Sequence, residues 1–462
     1  MSAREEAKKK GFPLNDRYLL RTSGDEMEAW VEGGVPGPEE WEEIRRKLSE
    51  LGLSGLLEKP EIQENRVVVA RGQPPIPGQD GHLEFLVDLS HGPREVDKHR
   101  VDLREMNLVV SVRAGTRVVR RVPPRPGQPG HNVWGEVIPP PPTKDVEFNY
   151  GEGLRPDEKG EFLIAERDGC LVEKQGKLCV DPEFTLEGDV DWDSGNVRFC
   201  GRKLTVTGTV RRGFKVWAKG EVEILGGVED EAEIEVEGNL VIQGLIHGEA
   251  CRIHVSGNAH LGSVEYATIK VERKLTVGDY LLQANVKVGE DLTVVENRGL
   301  VAAGRVEVGK GAVIKVAGND SFVPTIIKVG NPPEILEEIE RLKEELVLLD
   351  EATEKLHKAL SLGLKLKKEG RLTPDKARLL SKIQKVFREK VLAQANLQEK
   401  IKEKEEALQA YTQHTLQVLD RVYPGVRIAI GRYEYEVRKE IPGPVEFFLE
   451  GKTVKSRPLE GE

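Results

Sequence analysis

The sequence predicts a mainly β architecture: a right-handed parallel β-helix with an α/β N-terminal domain and a long antiparallel coiled-coil hairpin insertion. Three observations carry this. Between Val190 and Val316, short apolar strands recur about every eighteen residues. Proline gathers just before them, in PPRPGQPGHNVWGEVIPPPP (123–142). Beyond Pro332 the apolar spacing changes from two to three and four, the helical period.

The first 122 residues read as a small α/β domain. Pro38, Glu39 and Glu40 open a helix through about Leu51, with Trp41, Ile44, Leu48 and Leu51 on one face. Arg66–Ala70 and His82–Leu89 read as strands. Asn107–Val112 and Thr116–Val122 read as a strand pair turned at Ala114-Gly115. Residues 123–184 follow as a proline-rich strap and cap strands. Val133, Trp134, Val137 and Ile138 within the strap argue for packing on a core, since a free linker has no use for them. Phe162–Ala165, Cys170–Glu173 and Lys177–Val180 are short strands that can close one end of a solenoid, whose open coil would offer unpaired backbone groups.

The β-helix occupies 185–330. The first apolar residues of successive rungs are Leu204, Val222, Leu240, Ala259, Leu275, Leu292 and Ala312, at intervals of 18, 18, 19, 16, 17 and 20. No helix fits between such units, so each is read as one coil holding at least two strands. Eighteen residues can form a three-sided coil in either hand; the irregular intervals and broad turns favour the right-handed form.

Asn331, Pro332 and Pro333 end the pattern and start a helical hairpin over 331–420. Ile335, Ile339, Leu342, Leu346, Leu349, Leu356 and Leu360 form one stripe, and Leu379, Ile383, Val386, Leu397, Ile401, Leu408 and Tyr411 the other. Thr373 is a natural N-cap with Pro374 at the first helical position. Arms of about 35 and 45 residues would project roughly 50–70 Å. Residues 421–462 then read as strands returning to the β body.

Composition narrows the function classes. The formal net charge is −10, from 69 basic and 79 acidic residues, which disfavours a nucleic-acid surface. The amino terminus has no apolar run, and no segment approaches eighteen consecutive apolar residues, so the expectation is a cytoplasmic chain with no membrane span. Cys170, Cys179, Cys200 and Cys251 form no CxxC pair and read as small apolar residues.

Few residues point to chemistry. Asp189, Asp191 and Asp193 before Gly195 have the opening of a calcium loop. However, the glycine is one place late and Cys200 stands where a twelfth-position Glu is wanted, so they are weak metal candidates and turn caps first. Asp191 with Asp193 also raises a carbohydrate-active β-helix enzyme. The absence of an apolar leader and the 5% aromatic content weigh against it. His247, His254 and His260 fall in neighbouring coils without the further convergent ligands that zinc needs. No GxxxxGK[ST] loop occurs, and no cofactor is expected. Partner-binding candidates are the basic residues Arg211 and Arg212 on one rung, and Lys365, Lys367, Lys368 and Arg371 at the hairpin tip.

The landmarks PGQPGHNVWGEVIPPP (126–141), ERDGCLVEKQGKLCV (166–180), GDVDWDSGNVRF (188–199), GNDSFVPTIIKVG (318–330) and YPGVRIAIG (423–431) occur in this order, with the helical hairpin late in the chain. In this the sequence resembles the flagellar assembly protein A family over about nine-tenths of its length. The resemblance implies an N-terminal domain, a β-helix and a protruding coiled coil. It also implies a non-enzymatic scaffold or adaptor with protein partners in flagellar assembly or polar positioning, concentrated at a cell pole, with a homodimer left open. A self-assembling β-solenoid structural protein is the alternative.

Overall fold

A solenoid coil can satisfy its backbone only through the coils above and below it, so its neighbours must stack in strict register. The computed structural model describes residues 2–459 apart from 64–65, 91, 93, 98–99, 103 and 371–372, and the chain forms two units. The first holds residues through Asp88 with 116–150 and 154–164; the second holds 89–115, 151–153 and the chain from Ala165.

In the first unit a five-stranded antiparallel sheet runs in the order Phe12–Pro13, Leu19–Thr22, Glu28–Glu32, Arg66–Arg71, Leu56–Gln63. Helix α1 (Ala3–Lys9), which the sequence reading missed, is capped by the Ser2 hydroxyl. Its Arg4 pairs with both Glu26 and Glu136. Helix α2 (Pro38–Glu50) buries Trp41, Ile44 and Leu48, the face its spacing predicts. The Glu40 carboxylate accepts from the Gly37 amide and the Tyr18 hydroxyl, both at 2.9 Å. The proline-rich segment is packed, not free. It bridges the 73–79 segment at Gln73–His131, Ile76–Gln128 and Gln79–Arg125, and Val133 is fully buried in the core with Tyr18 and Leu20.

The pair expected at 107–112 and 116–122 does not form. Ser111–Val112 pairs instead with Gly169–Lys174 in the second unit, while Arg117–Val122 pairs with Phe162–Ala165 and His82–Phe85 in the first. The turn chemistry at Ala114-Gly115 favours a local hairpin, but each strand pairs with a non-local partner instead.

The second unit is the solenoid. One parallel ladder starts at Glu183–Leu186 and ends at Leu416–Val422; the other runs from Val197–Phe199 to Val426–Ile430. Identical inward positions stack from coil to coil. One column runs Leu204, Val222, Leu240, Ala259, Leu275 and Leu292. Another runs Val216, Ile234, Ile253, Ile269, Val286 and Val306. All are essentially inaccessible. At ~1.5–3 kcal/mol for each fully buried aliphatic side chain, these columns are the main favourable contribution to the stack.

A third inward column passes through Val190, Val210, Val228, Ile246 and Val264, held at first by single bridges and then by continuous pairing. Each of these residues sits two places after a glycine. The glycines themselves stack: a Cβ on Gly226 would lie 2.4 Å from the Gly208 carbonyl oxygen, and one on Gly244 would lie 2.5 Å from that of Gly226. Backbone therefore lies directly on backbone at this edge, which only glycine permits.

A separate antiparallel sheet packs on the core at the start, and antiparallel strands pair with both ladders at the far end. At the start, the sheet of Ser111–Val112, Gly169–Lys174 and Lys177–Asp181 contributes Cys170 to the solenoid core, which Val109 also joins. At the far end, Val445–Glu450 pairs antiparallel with Leu416–Val422, and Tyr433–Glu436 with Val426–Ile430. This is the management that an exposed ladder edge requires.

The hairpin consists of α3 (Pro333–Lys368) and α4 (Pro374–Gln409), each 36 residues and so about 54 Å long at the helical rise. The second arm is shorter than its apolar stripe suggested. A 3-10 turn over Ala410–Gln413 ends it, and Leu416, Val418 and Val422 then alternate inward as solenoid residues, Leu416 stacking on Ala312. The whole hairpin stands where other coils have a short turn. Ala218 and Glu221, for example, are separated by two residues, whereas Val329 and Leu416 enclose the hairpin.

Candidate interaction surfaces

The three aspartates at the first coil serve its turn. Asp189 accepts from the Thr209 amide and from Arg211, both at 2.7 Å. The Thr209 amide and then the Arg211 guanidinium hold its carboxyl below the usual carboxylate range. Asp191 accepts from the amides of Asp193, at 2.9 Å, and Ser194 within its own turn. Among the described residues no three His, Cys, Asp or Glu side chains gather as a metal-holding group. Between these aspartates, Trp192 is 56% exposed, meets Phe214 edge to face at 5.2 Å, and lies under the Arg104 guanidinium.

Arg211 and Arg212 are not free cations. Arg211 bridges Asp189 on one coil and Glu229 on another, at 2.7 Å each. Arg212 pairs with Glu231 at 2.5 Å, and nearby Lys215 and Lys219 pair with Glu233 and Asp168. Residues eighteen or so apart become neighbours in a solenoid, so alternating charge along the chain becomes a ladder of ion pairs across coils. The basic patch is thereby neutralised.

The histidines diverge. His254 faces outward from the second ladder and pairs with Glu272 at 3.1 Å, whereas His260 lies on the first. His247 occupies the third edge, 3.1 Å from Glu265, which accepts from the Tyr280 hydroxyl at 2.6 Å. Burial, reinforced by that carboxylate, pushes the Tyr280 phenol up. The four cysteines are unpaired and buried; burial raises the Cys170 and Cys251 thiols to about 12.

The hairpin exposes apolar and basic side chains together. Its inner seam includes Leu342, Leu397 and Ile401, with Leu346 packed against them. Val347, Leu348, Leu362, Leu379 and Leu392 are all more than half exposed. Lys365, Lys367 and Lys368 fill the last turn of α3 and are exposed. Arg371, the fourth tip candidate, lies outside the described residues.

The hairpin base holds an anchor that has no sequence signature. Glu337, in the first turns of α3, accepts from Lys287 at 2.8 Å and from Lys270 at 3.2 Å, on successive strands of the second ladder. Those two lysines, led by Lys287, hold its carboxyl below the ordinary range. Asn331 donates to the Gly431 carbonyl at 2.9 Å, tying the start of the hairpin to the following coil. The equal register of Lys270 and Lys287 is legible in the repeat; their convergence on a helix residue 67 and 50 positions further along the chain is not.

Among the described residues, no helix is long and apolar enough to cross a membrane. The family model described as Flagellar Assembly Protein A beta solenoid domain matches residues 182–454, and that described as Flagellar Assembly Protein A N-terminal region matches residues 20–176. No curated protein and no solved structure matches the chain.

Proposed function

Because this chain belongs to the flagellar assembly protein A family, we propose that it is a non-enzymatic cytoplasmic scaffold or adaptor that supports flagellar assembly and placement. The observation that carries this reading is the hairpin: an arm of about 54 Å set into a stacked, end-capped solenoid, with both of its ends joined to solenoid strands. Such an arm holds a contact surface at a fixed distance from a stiff body, which suits recruitment by shape and charge. The exposed leucines and lysines lie on it, while the charged side chains of the first coils are spent on one another. Antiparallel strands on the far end of both ladders weigh against end-to-end polymerisation through that end.

The test is deletion of the gene in its source organism, with complementation by the intact chain and by a chain in which residues 334–412 are replaced by a short linker. That replacement leaves the Leu416–Val422 strand in place. Loss or misplacement of flagella, repaired by the intact chain and not by the armless one, is the expected result. Flagella normal in number and position after complete deletion would overturn the proposal.

A further inference from the structure

We propose that two copies of this chain pair through their hairpins, antiparallel, with the basic outer half of each arm against the acidic inner half of the other. Along α3, Leu348, Ala352, Lys355, Ala359, Leu362 and Leu366 follow one another at alternating spacings of four and three. That is the heptad spacing of a helix–helix seam. It is not the seam that α4 covers, which uses Leu342 and Leu346 on a different face. Leu348 is 68% and Leu362 61% exposed. A heptad stripe asks for another helix, and the small residues Ala352 and Ala359 let one come close.

Charge selects which helix and in which direction. From Glu334 to Glu354 the sequence has nine acidic and two basic residues; from Lys355 to Lys390 it has twelve basic and three acidic. Among the described residues, Lys365, Lys367, Lys368, Lys382 and Arg388 of the outer half have no acidic group within ion-pair distance, nor do Glu344 and Glu351 of the inner half. A parallel, in-register pair would set Lys355 against Lys355 and one basic tip against the other. The antiparallel pair places Leu348 of one copy opposite Leu366 of the other, Ala352 opposite Leu362, and Glu351 near Lys365. The arm therefore carries both its own apolar complement and its own counter-charge, as a two-fold interface requires. This deepens the adaptor reading by naming what the basic arm meets, and rests on it only in taking the arm as the contact surface.

Sedimentation velocity of the full chain over a range of concentrations tests it, and its outcome is separate from any count of flagella. The wild-type chain is expected to dimerise, and to do so more weakly as salt rises. Leu348→Lys with Leu362→Lys should raise the dimer dissociation constant by more than about a hundredfold. Both positions are exposed, so an unchanged far-UV circular dichroism spectrum will show that the fold persists. For direction, a Leu348→Cys chain mixed with a Leu366→Cys chain should give a disulfide-linked pair, while neither links efficiently to itself. A wild-type chain that stays monomeric throughout, a double variant that still dimerises, or self-linking of Leu348→Cys would each overturn the proposal. The first would leave the basic arm to an acidic partner of another kind.

Discussion

Replacing Gly226 with alanine should damage the solenoid far more than the same change at Gly278, although both glycines lie along the first ladder. A Cβ at 226 would stand 2.4 Å from the Gly208 oxygen and 2.5 Å from its carbon, and both are backbone atoms of the preceding coil. Ordinary contact begins near 3.4 Å, so the coils must separate by about 1 Å in an interior that is otherwise close-packed. The Gly226 amide now donates to the Gly208 carbonyl at 3.0 Å, and the Gly244 amide to that of Gly226 at 3.0 Å. Moved apart by about 1 Å, the first of these is no longer a hydrogen bond. A donor and an acceptor are then left unpaired at about 1–3 kcal/mol each, which gives a loss of about 2–6 kcal/mol. At Gly278 the nearest atom to an added Cβ is 3.7 Å away and the backbone is not left-handed. Alanine there should be neutral, or stabilising by up to ~1 kcal/mol through the unfolded chain. Urea titration with hydrogen exchange read at the amides of 208–262 reports this stretch apart from the rest of the chain. Equal protection in the two variants, to within about 0.5 kcal/mol, would refute the backbone-on-backbone argument.

Two further outcomes follow from single residues. Glu337→Gln should leave thermal unfolding unchanged but speed exchange at the first turns of α3, because its two lysine contacts are half exposed and tether the arm without supporting the core. The same tether has a pH signature. The folded-state carboxyl titrates below its ordinary value of 4.5, so the anchoring is complete above that pH and is lost as pH falls through the depressed value; exchange that quickens instead as pH rises, after correction for the intrinsic rate, contradicts it. Cys170 and Cys251, with thiols raised to about 12 by burial, should resist a thiol reagent at mildly alkaline pH and react once urea unfolds the chain; labelling in the native state at the rate of a free thiol would show the sites to be open.

The solenoid was legible because one physical requirement repeats. Every coil must put small or aliphatic residues at the same inward positions, so Leu204, Val222 and Leu240 announce themselves by interval alone. The third column was not read, although a glycine two places before Val210, Val228 and Ile246 marks it. A single inward residue per coil leaves no alternation to detect. The fate of 107–122 was illegible for a different reason. Both strands have β character, and only the rest of the fold decides that Val112 pairs with Gly169 while Val119 pairs with Phe85. The end of α4 was misread because Leu416 and Val418 continue an apolar stripe that serves equally as helix face or strand face. Arg211 and Arg212 looked like a patch because their counter-charges, Asp189, Glu229 and Glu231, are near only once the coils are stacked.

The position of the hairpin bears on what its loss can mean. A short turn in a solenoid joins two strands whose ends lie close together, and antiparallel helices have axes only about 8–10 Å apart. A helical hairpin can therefore replace such a turn without disturbing the stack, whereas a single helix could not return the chain. The registers on either side bear this out: Ala312 stacks on Leu416 and Ile327 on Ile428, as if the intervening residues were a turn. Stability of the coils thus resides in columns that run past the insertion point, and the arm adds length and charge while contributing little to the core. Glu337 and Asn331 make polar contacts with the solenoid, which set direction and not folding. An armless chain should keep its solenoid, so a defect confined to that chain would belong to what the arm touches.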